Sequence, residues 1–163
     1  MEEQQILSLF HEYSNMIYRL AYSYLRSPQD AEDLVQTVFL KLIDGKALPK
    51  PGSERAFLTR VTINCCKDQL RSAWRSRTIP IDDTIPFRHS EDRELFHAVM
   101  ALPEKYRIVI YLHYYEGYTF PEIAGFLKIS PSGVSMRMHR ARKLLKKQLR
   151  GGDGYEKTLE ANL

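Results

Sequence analysis

Cysteine is nearly absent from these 163 residues, and the two present, Cys65 and Cys66, are neighbours. Adjacent thiols close a disulfide only with strain, and no second pair or histidine cluster stands at zinc-ligand spacing. A disulfide scaffold and a zinc site are therefore not expected. The pair reads as buried, reduced and structural, since a free thiol behaves as a small hydrophobe. No apolar run approaches the roughly twenty residues that span a bilayer, and no signal-peptide pattern opens the chain. A cytoplasmic protein without membrane insertion is the expectation. The histidines (His11, His89, His97, His113, His139) are scattered. Paired carboxylates in a plausible site and a phosphate-cradling glycine loop are also missing, so no enzyme and no cofactor are expected. Convincing strand alternation is lacking too.

Acid is missing from one stretch in particular. Residues 128–150 carry eight bases (Lys128, Arg137, Arg140, Arg142, Lys143, Lys146, Lys147, Arg150) and no acid. Residues 1–46 have the opposite balance: seven acids (Glu2, Glu3, Glu12, Asp30, Glu32, Asp33, Asp44) against Arg19, Arg26, Lys41 and Lys46. The net charge of +4 hides this asymmetry. Two surfaces of different character imply two kinds of partner.

Within the basic stretch, Thr119 and Glu122 have capping-box spacing ahead of the apolar stripe Ile123, Ala124 and Leu127. Ser130-Pro131 then supplies an N-cap and a first-turn proline. The following helix keeps Val134, Met138, Ala141, Leu144 and Leu145 on one side and its bases elsewhere. Those bases have no carboxylate one turn away, so the helix repels itself unless a polyanion is near. A helix-turn-helix that enters the DNA major groove is the reading these residues favour over a solvated basic face.

The rest is helical in period outside two linkers. Ile6, Leu9, Phe10, Tyr13, Ile17, Leu20, Ala21, Tyr24 and Leu25 predict a first helix. Ser27-Pro28 restarts the chain into a second, with Ala31, Leu34, Val35, Val38, Phe39 and Leu42 inward and Asp44-Gly45 at its end. After a Pro/Gly-rich loop at 46–53, Ser53 caps a third helix to about Arg75, its buried side being Phe57, Leu58, Val61, Cys65 and Leu70. Two prolines and no period make 78–90 a linker. Helices over about 91–102 and 104–115 precede the helix-turn-helix, and 151–163 reads as a disordered tail. The fold class is all-α: two small helical domains, 1–77 and 91–150, joined by a flexible linker.

Three blocks in order resemble the bacterial RNA polymerase sigma factors of the extracytoplasmic-function branch. They are IYRLAYSYLRSPQDAEDLVQTVFLKL at 17–42, RAFLTRVTINCCKDQLRS at 55–72, and LPEKYRIVIYLHYYEGYTFPEIAGFLKISPSGVSMRMHRARKLL at 102–145. The resemblance implies a factor that binds core RNA polymerase, reads promoter DNA at the −10 and −35 elements as duplex and melted strand, and is restrained by an anti-sigma factor. It implies a core-polymerase contact on Gln29, Glu32, Asp33 and Gln36, with Thr37 where relatives usually carry Glu. On the third helix it implies −10 contacts from Arg60, Asn64, Lys67 and Arg71, with Asn64 at a flipped base and Leu48 where some relatives place an aromatic. For the −35 element it implies Ser132, Ser135, Met136 and Arg137 near base edges or phosphates, and His139, Arg140, Arg142 and Lys143 mainly on phosphates. Ser135 replaces the family's usual Lys, so the commonest −35 preference is not expected. Trp74 is expected to pack on the bundle rather than stack on a base. The rival readings are a stand-alone helix-turn-helix regulator that binds an operator without polymerase, and an enzyme acting on nucleic acid.

Overall fold

The computed structural model describes residues 2–45, 48–72 and 90–149, with backbone alone at 90–92. Trp74, Arg75, Arg77, residues 78–89 of the expected linker, Arg150 and the 151–163 tail lie outside the described residues. The chain divides into two compact units, Met1–Pro80 and Ile81–Leu163. Among the described residues every regular element is helical.

The first unit is a three-helix bundle of α1 (Glu2–Leu25), α2 (Pro28–Gly45) and α3 (Glu54–Ser72), each packed on the other two. Arg26 takes a left-handed conformation, φ 55°, and stops α1. The buried Ser27 hydroxyl then accepts from the Asp30 amide at 3.2 Å and starts α2. The inward stripe of α2 is the one its period predicts: Ala31, Leu34, Val35, Val38, Phe39 and Leu42 are all buried.

Two expectations need correction here. Helix α1 begins at Glu2 rather than near Ile6, and its N-terminal apolar residues Leu7 and Phe10 are 57% and 41% exposed. Once nucleated on its packed face, a helix extends cooperatively past the last buried residue, so period alone does not mark where burial ends. The second correction is the inner face of α3. It comprises Leu58, Thr59, Thr62, Ile63, Cys65 and Cys66, while Phe57, Val61 and Leu70 are only half-buried. The threonines enter the core because their hydroxyls are satisfied: Thr62 donates to the Leu58 carbonyl at 2.6 Å and Thr59 faces the Met16 sulfur at 3.9 Å. Both cysteines are free and buried, as expected.

The second unit holds α4 (Ser90–Met100), α5 (Glu104–Ile110), a π-helical turn (Tyr111–Tyr115), α6 (Phe120–Leu127) and α7 (Pro131–Gln148). The expected continuous helix over 104–115 thus loosens at Tyr111, and Gly117 ends it at φ 76°. Tyr111 and the buried Glu116 share a 2.6 Å hydrogen bond, and Arg107 donates to the Leu102 carbonyl at 2.9 Å, closing the base of the unit. α5 and α6 both pack on α7, whose inner face is Val134, Met138, Ala141 and Leu145. Leu144, expected inward with these, is half-buried.

Candidate nucleic-acid and polymerase interface

The turn of the helix-turn-helix is built as its sequence dictates. Thr119 Oγ1 accepts from the Glu122 amide at 3.3 Å while Glu122 Oε1 accepts from the Thr119 amide at 3.1 Å, a reciprocal capping box. Lys128 closes α6 in the left-handed region, φ 58°. Ser130 Oγ then accepts from the Gly133 amide at 3.0 Å and opens α7. A Cβ on Gly133 would stand 3.2 Å from that Oγ, so the glycine leaves room for the cap.

With its inner face committed, α7 turns Ser132, Ser135, Met136, His139, Arg140 and Lys143 outward, and all six are exposed. Arg137 is half-buried at the edge of this face. Arg142 is also half-buried, because Nε donates to the Tyr114 hydroxyl at 3.1 Å. Met136 is 55% exposed, a large apolar side chain in the middle of a basic surface, where only a partner would cover it.

On α3 the expected residues share one face. Arg60, Asn64, Lys67 and Arg71 recur at four-, three- and four-residue steps, opposite the Leu58–Thr62–Cys66 side. Arg60, Asn64 and Arg71 are exposed and Lys67 is half-buried. Arg71 meets Asp68 at 3.2 Å. Leu48 lies half-buried in an apolar groove of about 450 Å³ lined by Ile6, Leu7, Phe10, Phe39, Leu42 and Ile43. It therefore has apolar neighbours of its own.

Gln29, Glu32, Asp33 and Gln36 form a third exposed stripe, on α2. Thr37 is exposed too, its hydroxyl returned to the Asp33 carbonyl at 3.1 Å. The stripe continues into Leu40 and Ile43, which are 58% and 52% exposed. The sequence reading missed both. Their signal was available, since they are apolar residues left over once the inward stripe is complete. Near the same end, burial pushes the Cys65 thiol above its ordinary pKa, with Lys41 pulling the other way. Among the described residues no group of His, Cys, Asp and Glu could hold a metal ion, and no helix is long and apolar enough to cross a membrane.

These surfaces coincide with known sequence families. Sigma-70 region 2 matches residues 9–76, and Sigma-70, region 4 matches residues 92–145. The ECF RNA polymerase sigma factor SigE of Mycolicibacterium smegmatis is 29% identical over 154 residues, across 86% of this chain and 60% of that longer protein. RNA polymerase sigma factor CarQ of Myxococcus xanthus is 31% identical over 132 residues, across 73% of this chain and 74% of its own. The chain belongs to the extracytoplasmic-function RNA polymerase sigma factors.

The region 2 match of this sigma factor takes in α2 and α3 with their two outer faces, and the region 4 match runs from within α4 to Leu145 of α7. Among solved structures, CnrH in complex with the cytosolic domain of CnrY is similar, with a TM-score of 0.62 and 26% identity over 88% of this chain and 86% of that one.

Proposed function

We propose that the two units of this sigma factor divide promoter recognition. The first (residues 1–77) docks core RNA polymerase and opens the −10 element, and the second (91–150) reads the −35 element. The family places the chain among transcription initiation factors that work with RNA polymerase, not in a known enzyme class. The further reading, that it is a non-catalytic factor acting in the cytoplasm, rests on that family membership.

The observation that carries the division is the outer face of α3, where Arg60, Asn64, Lys67 and Arg71 align. Cations at one-turn spacing track a phosphate backbone. An exposed amide among them can hydrogen-bond the edge of a base that has left the stack, since it carries both donor and acceptor. Unstacking costs a few kcal/mol, and capture of the base offsets part of that. In the second unit, the exposed start of α7 presents Ser132, Ser135 and Met136 with Arg137 beside them, the position from which a recognition helix reaches base edges.

Polymerase docking falls to the α2 stripe, acidic and polar at Glu32, Asp33 and Gln36 and apolar at Leu40 and Ile43. An apolar core with a polar rim is the usual anatomy of a protein interface. The CnrH complex with the cytosolic domain of CnrY supports a second protein partner, which we read as the anti-sigma factor that the resemblance implies.

Incubating the protein with core polymerase and a promoter library tests this reading. Promoter capture that requires core polymerase is the expected result. Tight palindromic binding by the protein alone would favour the stand-alone regulator instead.

A further inference from the structure

Arg140 and Arg142 lie two positions apart on α7. At 3.6 residues per turn such side chains leave the helix about 200° apart, on opposite edges of the outward face. Each meets a tyrosine from the preceding helical stretch. Arg142 donates through Nε to the Tyr114 hydroxyl at 3.1 Å, with its guanidinium carbon 6.0 Å from the centre of that ring. On the other edge, the charges of Arg140 and Lys105 both favour the ionised form of the Tyr106 hydroxyl. Lys105 also stands over the Tyr106 ring, Nζ 5.0 Å from its centre.

Neither arrangement is explained by packing alone. A guanidinium that spends Nε on a tyrosine keeps both terminal nitrogens, the planar fork that fits a phosphate. On the Tyr106 side, Lys105 over the ring and Arg140 nearby make this edge of the unit positive, which suits an anion. The phenol registers that field. Desolvation raises its pKa, but hydrogen bonding from Arg140 and Lys105, together with their charge, outweighs this and leaves it below the ordinary value. A tyrosine hydroxyl is both acceptor and donor, so Tyr106 can also give its proton to a phosphate oxygen. The π-helical turn places Tyr114: it shifts the side-chain register after Ile110, where α5 ends.

We propose that Tyr114 with Arg142, and Tyr106 with Arg140 and Lys105, are two grips for DNA backbone phosphates on opposite edges of the recognition helix. The tyrosines are positioning residues that hold each arginine before DNA arrives, and Lys105 brings α5 itself to a phosphate. This rests on the reading that α7 faces promoter DNA.

The test uses the full chain assembled with core polymerase, binding −35-bearing duplexes over a series of salt concentrations. Tyr114→Phe weakens every sequence alike by about three- to tenfold, the cost of one side chain no longer pre-ordered. It has no further effect once Arg142 is alanine. Tyr106→Phe behaves the same way against Arg140→Ala. Lys105→Ala lowers the slope of log affinity on log salt by about 0.9, one phosphate. Equal losses with and without the arginine, or a drop in melting temperature in place of affinity, reduce the pairs to packing and overturn the proposal. Lys143→Ala, on the outward face, separates the two possible failures. Loss with Lys143→Ala and none with the tyrosine and Lys105 variants overturns the grips alone. No loss in any variant overturns the DNA-facing reading as well.

Discussion

Lys41 Nζ stands 3.9 Å from the Asp68 carboxylate, so the helix proposed to meet polymerase is tied to the helix proposed to meet the melted strand. Asp68 also holds Arg71, at 3.2 Å, and thereby occupies one of the four residues on the outer face of α3. Both ion pairs are exposed, and exposed pairs contribute little stability.

Asp68→Asn is therefore expected to cost less than about 1 kcal/mol in chemical denaturation. Released from its carboxylate, Arg71 becomes available to DNA. Binding of the holoenzyme to a melted −10 template is expected to tighten, with a steeper salt dependence. Weaker binding would mean that Asp68 positions Arg71 rather than competing for it.

Burial raises the Cys65 thiol, with Lys41 opposing. The folded protein thus keeps this proton at pH values where the unfolded chain has begun to lose it. The contribution to stability is whole below the unfolded thiol value of about 8.5 and is lost as pH rises through the folded one. Denaturation midpoints at pH 7 and pH 9.5 are expected to differ more in the wild type than in Cys65→Ala. Lys41→Gln removes the opposing charge, and the alkylation profile of Cys65 is expected to move to higher pH.

Asp33→Arg reverses charge on the α2 stripe at an exposed position, so the fold is expected to survive with an unchanged melting temperature. Affinity for core polymerase is expected to fall, because a reversed charge in a complementary contact repels. Leu40→Ser should weaken the same interaction without changing its salt dependence, since what it removes is apolar area. A pull-down at two salt concentrations distinguishes them. Unchanged affinity in both variants would move the polymerase contact off α2.

Asn64 is exposed, so its replacement by alanine leaves no buried group unsatisfied. Asn64→Ala should assemble with polymerase and bind the −35 element normally, yet form open complexes poorly on duplex promoters. A template already mismatched at the −10 element is expected to restore much of the activity, because the unpairing cost is gone. Permanganate footprinting on both templates reads this directly. Equal defects on the two would assign Asn64 to the fold, not to base capture.

On α7, position should separate base reading from phosphate binding. Arg137→Ala is expected to cost about 1–3 kcal/mol at the preferred promoter and to relax selection at one or two base pairs. Lys143→Ala should weaken all sequences alike and flatten the salt dependence. Selection from a randomised −35 library makes the comparison. Identical sequence profiles for the two variants would leave α7 as an electrostatic handle only.

Local chemistry settled much of this protein in advance. The capping box of Thr119 and Glu122, the Ser130 cap, the Ser27-Pro28 restart and the whole inward stripe of α2 depend on neighbours three or four residues away, and each stands where the sequence puts it. The acid-free stretch is a matter of composition, and the alignment of Arg60, Asn64, Lys67 and Arg71 follows from helix period. Other features depended on which surfaces meet. Only tertiary packing brought Thr59, Thr62 and Cys66 into the core, because a hydroxyl paid by a backbone carbonyl or a sulfur is no longer polar to its surroundings. Only packing left Phe10, Leu40 and Ile43 exposed and paired Lys41 with Asp68 across two helices. The same holds for Tyr114 and Arg142, which are 28 residues apart in sequence. Periodicity describes one helix at a time, whereas these contacts are set by the rotation and spacing of one helix against another.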